Sequence, residues 1–85
     1  MEKNEQKQKI VVLHRGWVAV GKLSKEGNDI VLTDASIIRR WGTTDGLGQL
    51  ALNGPTKDTK LDKCGTIRAH ELAVVLTMDC ATEWK

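Results

Sequence analysis

Phenylalanine and tyrosine are absent from this chain of 85 residues, and its aromatic content is three tryptophans. A core must therefore do without Phe and Tyr and draw mainly on Val, Ile, Leu and Ala. Neither charge sign dominates. Thirteen Lys and Arg against eleven Asp and Glu leave +2, well short of the basic footprint of a dedicated nucleic-acid binder. Apolar runs stop at about five residues, against the roughly 20 that a membrane-spanning helix needs, so no helical span is expected. There are two cysteines, Cys64 and Cys80, at no paired spacing, and residues 1–9 carry no apolar leader. The expectation is a cytoplasmic protein with both thiols free and buried as small apolar groups. At 85 residues the chain has room for one domain, which excludes a two-domain enzyme, a full nucleotide-binding α/β sheet and a (β/α)₈ barrel.

What is present is β-rich. Residues 1–9 are polar and of both charge signs, and predict a mobile tail ahead of a single domain over 10–85. Ile10–Leu13 is a β-branched run ended by His14-Arg15-Gly16 and predicts a strand. From Trp17 to Leu23 the pattern alternates, with Val18 and Val20 on one side and Trp17, Ala19 and Leu23 on the other. Gly27-Asn28-Asp29 supplies turn chemistry, so residues 17–33 predict a hairpin turning at Lys25–Asp29. Asp34–Trp41 fits helical and extended spacing alike, and Ile37-Ile38 beside Trp41 favours a further strand. Thr43, Thr44 and Asp45 are N-cap candidates for a short helix over 45–52, stopped by Asn53-Gly54-Pro55. Residues 54–65 are poor in aliphatics and predict a long loop or exposed hairpin. Leu72–Met78 predicts a buried strand, with Ile67 in a short strand ahead of it. The fold class is α+β and β-rich: a small, strongly bent antiparallel sheet or SH3/Sm-like barrel with one short helix.

Two catalytic motifs fail on inspection. Gly16 to Lys22 matches G-x-x-x-x-G-K, but the next residue is Leu23 where a P-loop needs Ser or Thr for magnesium, and the segment alternates like a strand. His70-Glu71 opens like H-E-x-x-H, but position 74 is Val. His14, Cys64, His70 and Cys80 have no metal-ligand spacing, so no metal, cofactor or enzymatic activity is expected. The segment 39–49 carries more chemistry. Arg39 and Arg40 can fork onto phosphate, Trp41 offers a stacking face, and Thr43, Thr44, Gln49 and the amides at the helix start can read polar edges. The competing reading makes Trp41 a core anchor with both arginines solvated. His14, Arg15 and Arg68 form a second basic group.

Gly21-Lys22-Leu23, Val31 to Ala35, Ile38-Arg39-Arg40-Trp41, Leu47-Gly48-Gln49-Leu50-Ala51 and Gly54 resemble a family of small, mostly phage-encoded proteins. That family's pattern is a hairpin, an Ala-Arg-Arg-Ile-Trp-like segment and a Ser-Leu-Ser-Gln-Leu-Ala-like helix; the match runs over residues 10–54. Separately, Val18–Ala35 is similar to the first motif of Sm-like proteins, and Thr66-Ile67-Arg68-Ala69 to Val75 to their second. Ala69 stands where that motif has Gly, and residues 36–65 separate the two. The Sm-like resemblance implies a strongly bent small barrel or sheet.

The phage-family resemblance and the 39–49 segment together imply a counter-defence protein of an infected bacterial host. It would sequester a nucleotide-derived immune signal without catalysis. The alternatives are an inhibitor or adaptor of a host protein, and an Sm-like nucleic-acid binder, which the near-neutral charge disfavours. A homo-oligomer is expected in each case, since so small a core without Phe or Tyr gains from burial between subunits.

Overall fold

A computed structural model describes residues 7–81. Five strands form one sheet in the order β4-β3-β2-β1-β5, with every neighbouring pair antiparallel. They are β1 (Gln8–Leu13), β2 (Val18–Glu26), β3 (Asp29–Arg40), β4 (Lys60–His70) and β5 (Val74–Asp79). A short helix, α1 (Leu47–Asn53), lies between β3 and β4, and 3-10 turns occupy His14–Gly16 and Glu71–Ala73. The bent antiparallel sheet with one short helix is thus what the sequence builds, and among the described residues no helix is long and apolar enough to cross a membrane.

The alternation in β2 decides where the core sits. Val18 and Val20 face one side with Ile10, Ile38 and the α1 residues Leu47, Leu50 and Ala51. Ala19 faces the other, with Val11, Leu32 and Ala35, and Leu23, Ile67 and Val74 packed around them. The first face is covered by the helix, and the second draws on all five strands, as the interior of a curled sheet must. Short aliphatics suit both faces, because β-branched side chains pack closely on a pleated surface.

A line of irregularities across three strands makes the curl. The β2–β3 register slips between Val20 and Lys22, and the β3–β4 register between Leu32 and Ala35 and again beside Ser36. At this line a Cβ on Gly21 would come within 3.1 Å of Ala35, so β2 and β3 approach closely there and a larger residue would press on Ala35. Asp34 adopts φ 49 and Gly65, opposite Ala35, φ 78. Bulges of this kind bend a strand and increase its twist.

Four expectations need correcting. β1 begins at Gln8, so Gln8 and Lys9 belong to the sheet and not to the tail; residues 1–6 lie outside the described residues. Residues 60–65, expected in a loop or exposed hairpin, are the first half of an 11-residue β4 that also contains Ile67. Pairing with β3 supplies the backbone hydrogen bonds that a poor aliphatic pattern could not announce. The helix starts at Leu47 rather than 45, because Gly46 at φ 86 cannot continue it backwards. The stretch 72–78 is not buried: Leu72 is 77% exposed, Val75 58% and Leu76 43%, since β5 is an edge strand with one hydrogen-bonded neighbour.

Leu50 is fully buried and links α1 to the sheet. Leu50→Ala should lower stability by about 2–5 kcal/mol in chemical denaturation, the usual result for a core leucine that leaves a cavity.

Candidate functional site

The segment 39–49 follows the end of β3, and the structure divides its members. Arg39 Nε donates to both oxygens of Asp62, at 3.2 and 3.0 Å, across the β3–β4 pair. Arg40 lies directly opposite Lys60, after a further slip of register, and both cations are exposed with no carboxylate partner among the described residues. Like charges facing each other across strands oppose pairing, so the two cations form an uncompensated positive spot. Trp41 beside them is 41% exposed, which removes it from the core-anchor reading.

Thr43, Thr44 and Gln49 are turned inward on the loop. Thr43 Oγ1 donates to the Gly46 carbonyl at 2.9 Å. Gln49 Oε1 accepts from the Thr44 amide at 3.2 Å, the Thr44 hydroxyl at 3.3 Å and the Asp45 amide at 2.9 Å. The helix therefore has no Ser/Thr N-cap; a glutamine on its first turn reaches back to collect the loop donors instead. Of the amides expected to meet an anion, those of Thr44 and Asp45 are already bonded to Gln49. From the six sequence-predicted residues the structure leaves Arg40 and Trp41 open and adds Lys60, which only the strand register brings to them.

Two threonines lace this end of the molecule. Thr56 Oγ1 donates to the Gly42 carbonyl at 2.7 Å and Thr59 Oγ1 to the Trp41 carbonyl at 2.7 Å. Gly42, at φ 66, packs so closely that a Cβ would fall 2.6 Å from the Asp58 carbonyl oxygen and the Thr59 nitrogen. The indole and the cation pair thus stand on a laced backbone.

The second basic group is differently placed. Arg68 Nη1 pairs with Glu26 Oε1 at 2.8 Å, which raises its pKa further through that hydrogen bond and the charge of Glu26. His14 and Arg15 lie in the β1–β2 turn, where Arg15 takes φ 67. At the β4–β5 link the Glu71 amide donates to the Asn28 carbonyl at 2.8 Å, and His70 Nδ1 accepts from the Leu72 amide at 3.1 Å. The Glu71 carboxylate pairs with Lys25 at 2.7 Å, and that hydrogen bond, then the charge, holds its pKa below the ordinary value. Asp79 is lowered in the same way by Lys9, its partner across β1–β5.

The cysteines are both free, but only Cys80 behaves as a small core residue. It packs beside the helix-covered cluster, and its pKa is raised by burial; Cys64 is exposed. Among the described residues no three of His, Cys, Asp and Glu gather as metal ligands. A cleft of about 410 Å³ opens at the line of bulges, walled by Val20, Asp34, Ala35, Ser36, Leu61 and Lys63 among others. The outer edges of β4 and β5 carry no strand partner among the described residues.

No family model and no curated protein matches this chain. In backbone the chain is similar to a heptameric archaeal Sm protein, whose crystal structure was described for its implications for the eukaryotic snRNP core. The TM-score is 0.58 at 20% identity, over 87% of this chain and 85% of that one. The bent five-stranded sheet accordingly has the Sm-like fold.

Glu71 and Asp79 set an acid limb. Each has a folded pKa below its unfolded value, so its contribution is present above the carboxylate range and fades as pH falls through the lowered value. The thermal midpoint should fall below about pH 4, and Glu71→Gln should flatten that part of the profile.

Proposed function

We propose that this chain assembles with copies of itself into a closed ring and that the ring binds single-stranded nucleic acid. The observation that carries the assembly is the pair of open edges. β4 and β5 lie at opposite sides of one sheet, each with an outer row of backbone donors and acceptors that has no strand partner among the described residues, and β5 adds the exposed Val75 and Leu76. Joining the β4 edge of one copy to the β5 edge of the next is a head-to-tail contact, which closes when the rotation between copies divides a full turn. The likeness to a heptameric Sm protein supports this arrangement, and the mention of the snRNP core in that description supports a nucleic-acid partner.

The surface offered to the strand is Arg40, Lys60 and Trp41: two cations for phosphate and an exposed indole for a base. A formal +2 is small for one chain, but a ring multiplies it and repeats the same patch at regular spacing. Sequestration of a nucleotide-derived signal by a phage-type counter-defence protein has less support. Of the six residues it relied on, Arg39, Thr43, Thr44 and Gln49 have partners within the fold, and only Arg40 and Trp41 remain open. An inhibitor or adaptor of a host protein would use the same open edges, and so competes directly with self-assembly.

Native mass spectrometry should give a multiple of 9.4 kDa, and Val75→Lys, which places a charge on an exposed edge position, should shift it to the monomer without unfolding. A wild-type monomer at micromolar concentration would remove the ring and favour the host-protein reading. Anisotropy with labelled oligo(U) and oligo(dT) should show binding that weakens with salt. Trp41→Ala should weaken it by about 1–3 kcal/mol, and Arg40→Ala or Lys60→Ala should reduce the salt slope by about one each. An assembled wild type that binds neither oligonucleotide at low salt would overturn the nucleic-acid half.

A further inference from the structure

We propose that the cleft at the bend of β3 is a second ligand site, separate from the Arg40–Lys60–Trp41 surface, and that it takes a ribonucleotide. One local feature that the fold does not otherwise explain lies there, beside a carboxylate that the bend itself turns outward. Ser36 is 9% exposed, lines the cleft, and its hydroxyl makes no hydrogen bond among the described residues. A buried hydroxyl without a partner destabilises a fold, so one retained at a cleft wall points to a partner that comes from outside. Two residues earlier, Asp34 holds φ 49, a backbone conformation that glycine would adopt without strain. Its carboxylate is largely exposed at the cleft and has one loose partner, Lys22 Nζ at 3.7 Å.

The rest of the wall completes the chemistry. Lys63, across from Ser36 in the β3–β4 register, has no ion-pair partner among the described residues. Leu61, half-buried, gives the cleft an apolar patch, and Val20 and Ala35, each 2% exposed, close its floor. A volume of about 410 Å³ is within the range of ligand clefts, roughly 300–1,000 Å³. A ligand using all of these groups has an anion for Lys63, a flat part to lie against Leu61, and adjacent hydroxyls for Asp34, with Ser36 free to donate or accept. A ribonucleoside monophosphate has this combination. A ribose diol can engage both oxygens of a carboxylate, whereas a deoxyribose has lost one of its hydroxyls. The site goes beyond strand binding: it would serve a free nucleotide or a nucleotide unit of a bound RNA with the same groups.

Backbone amide shifts of the assembled protein, titrated with UMP, AMP and dUMP, test this. Saturable shifts are expected at Val20, Ala35, Ser36, Leu61 and Gly65, with dUMP about tenfold weaker than UMP. Asp34→Asn, which keeps a side chain tolerant of positive φ, and Lys63→Met should each weaken UMP about tenfold or more. Ser36→Ala should weaken UMP while leaving stability unchanged or raised, a split that a purely structural serine would not give. A short oligo(U) that shifts the same amides assigns the site to a strand-borne nucleotide; UMP saturation with those amides unmoved by oligo(U) assigns it to a free one. Arg40→Ala and Trp41→Ala should leave the UMP shifts intact, so failure of the strand surface does not carry this site down with it. No saturable shift with any nucleotide up to about 5 mM, or equal affinity for UMP and dUMP, would overturn the proposal.

Discussion

β4 and β5 follow one another in the chain, lie at opposite edges of the sheet, and are joined only by Glu71–Ala73. In a flat sheet four inter-strand gaps would separate them by about 19 Å, whereas the path from His70 to Val74 reaches about 14 Å at full stretch. The sheet has to curl. The bulges at Val20–Lys22 and Leu32–Ser36, the close approach of Gly21 to Ala35 and the left-handed backbone at Asp34 and Gly65 are where it does so. Glu71 then fastens the link to the β2–β3 turn through the Asn28 carbonyl and Lys25, so the constraint and its anchoring lie within a few residues.

Curling produces two cores from one sheet. The inner one collects aliphatics from all five strands, and the outer one is closed by a seven-residue helix. Neither holds a Phe or Tyr, and Trp17 and Trp41 are exposed, at 58% and 41%. With both described tryptophans exposed and the aliphatics shared between two faces, each core is thin. The curl also stops short of closure, since β4 and β5 pair with β3 and β1 and not with each other. An unclosed small barrel with apolar residues on one edge strand has both a thermodynamic reason and a geometric means to add copies of itself.

Both proposed binding surfaces lie where the strand register is irregular. The register slip after Ile38 sets Arg40 against Lys60 next to Trp41, and the slips around Ala35 open the cleft beside Ser36 and Asp34. Regular pairing would have put a side chain from each strand into these places. The residues most suited to ligands by type alone, Thr43, Thr44 and Gln49, instead close the loop ahead of α1.

By itself the sequence determined the β-rich class, the turn at Gly27-Asn28, the opposed faces of Val18 and Val20 against Ala19 and Leu23, the extended run through Ile37-Ile38, and the end of the helix at Gly54. Each of these depends on local steric preference or on a period of two, which neighbouring residues carry without help. Tertiary structure decided the rest. β4 starts at Lys60 because β3 offers a partner to a polar segment, and the apolar run at 74–79 is exposed because it lies at an edge, a matter of strand order rather than of side-chain type. The engagement of Arg39 by Asp62 and the isolation of Arg40 beside Lys60 follow from a one-residue slip between strands 20 positions apart in the chain. No local pattern encodes that slip, because it depends on how two strands far apart in the chain pair.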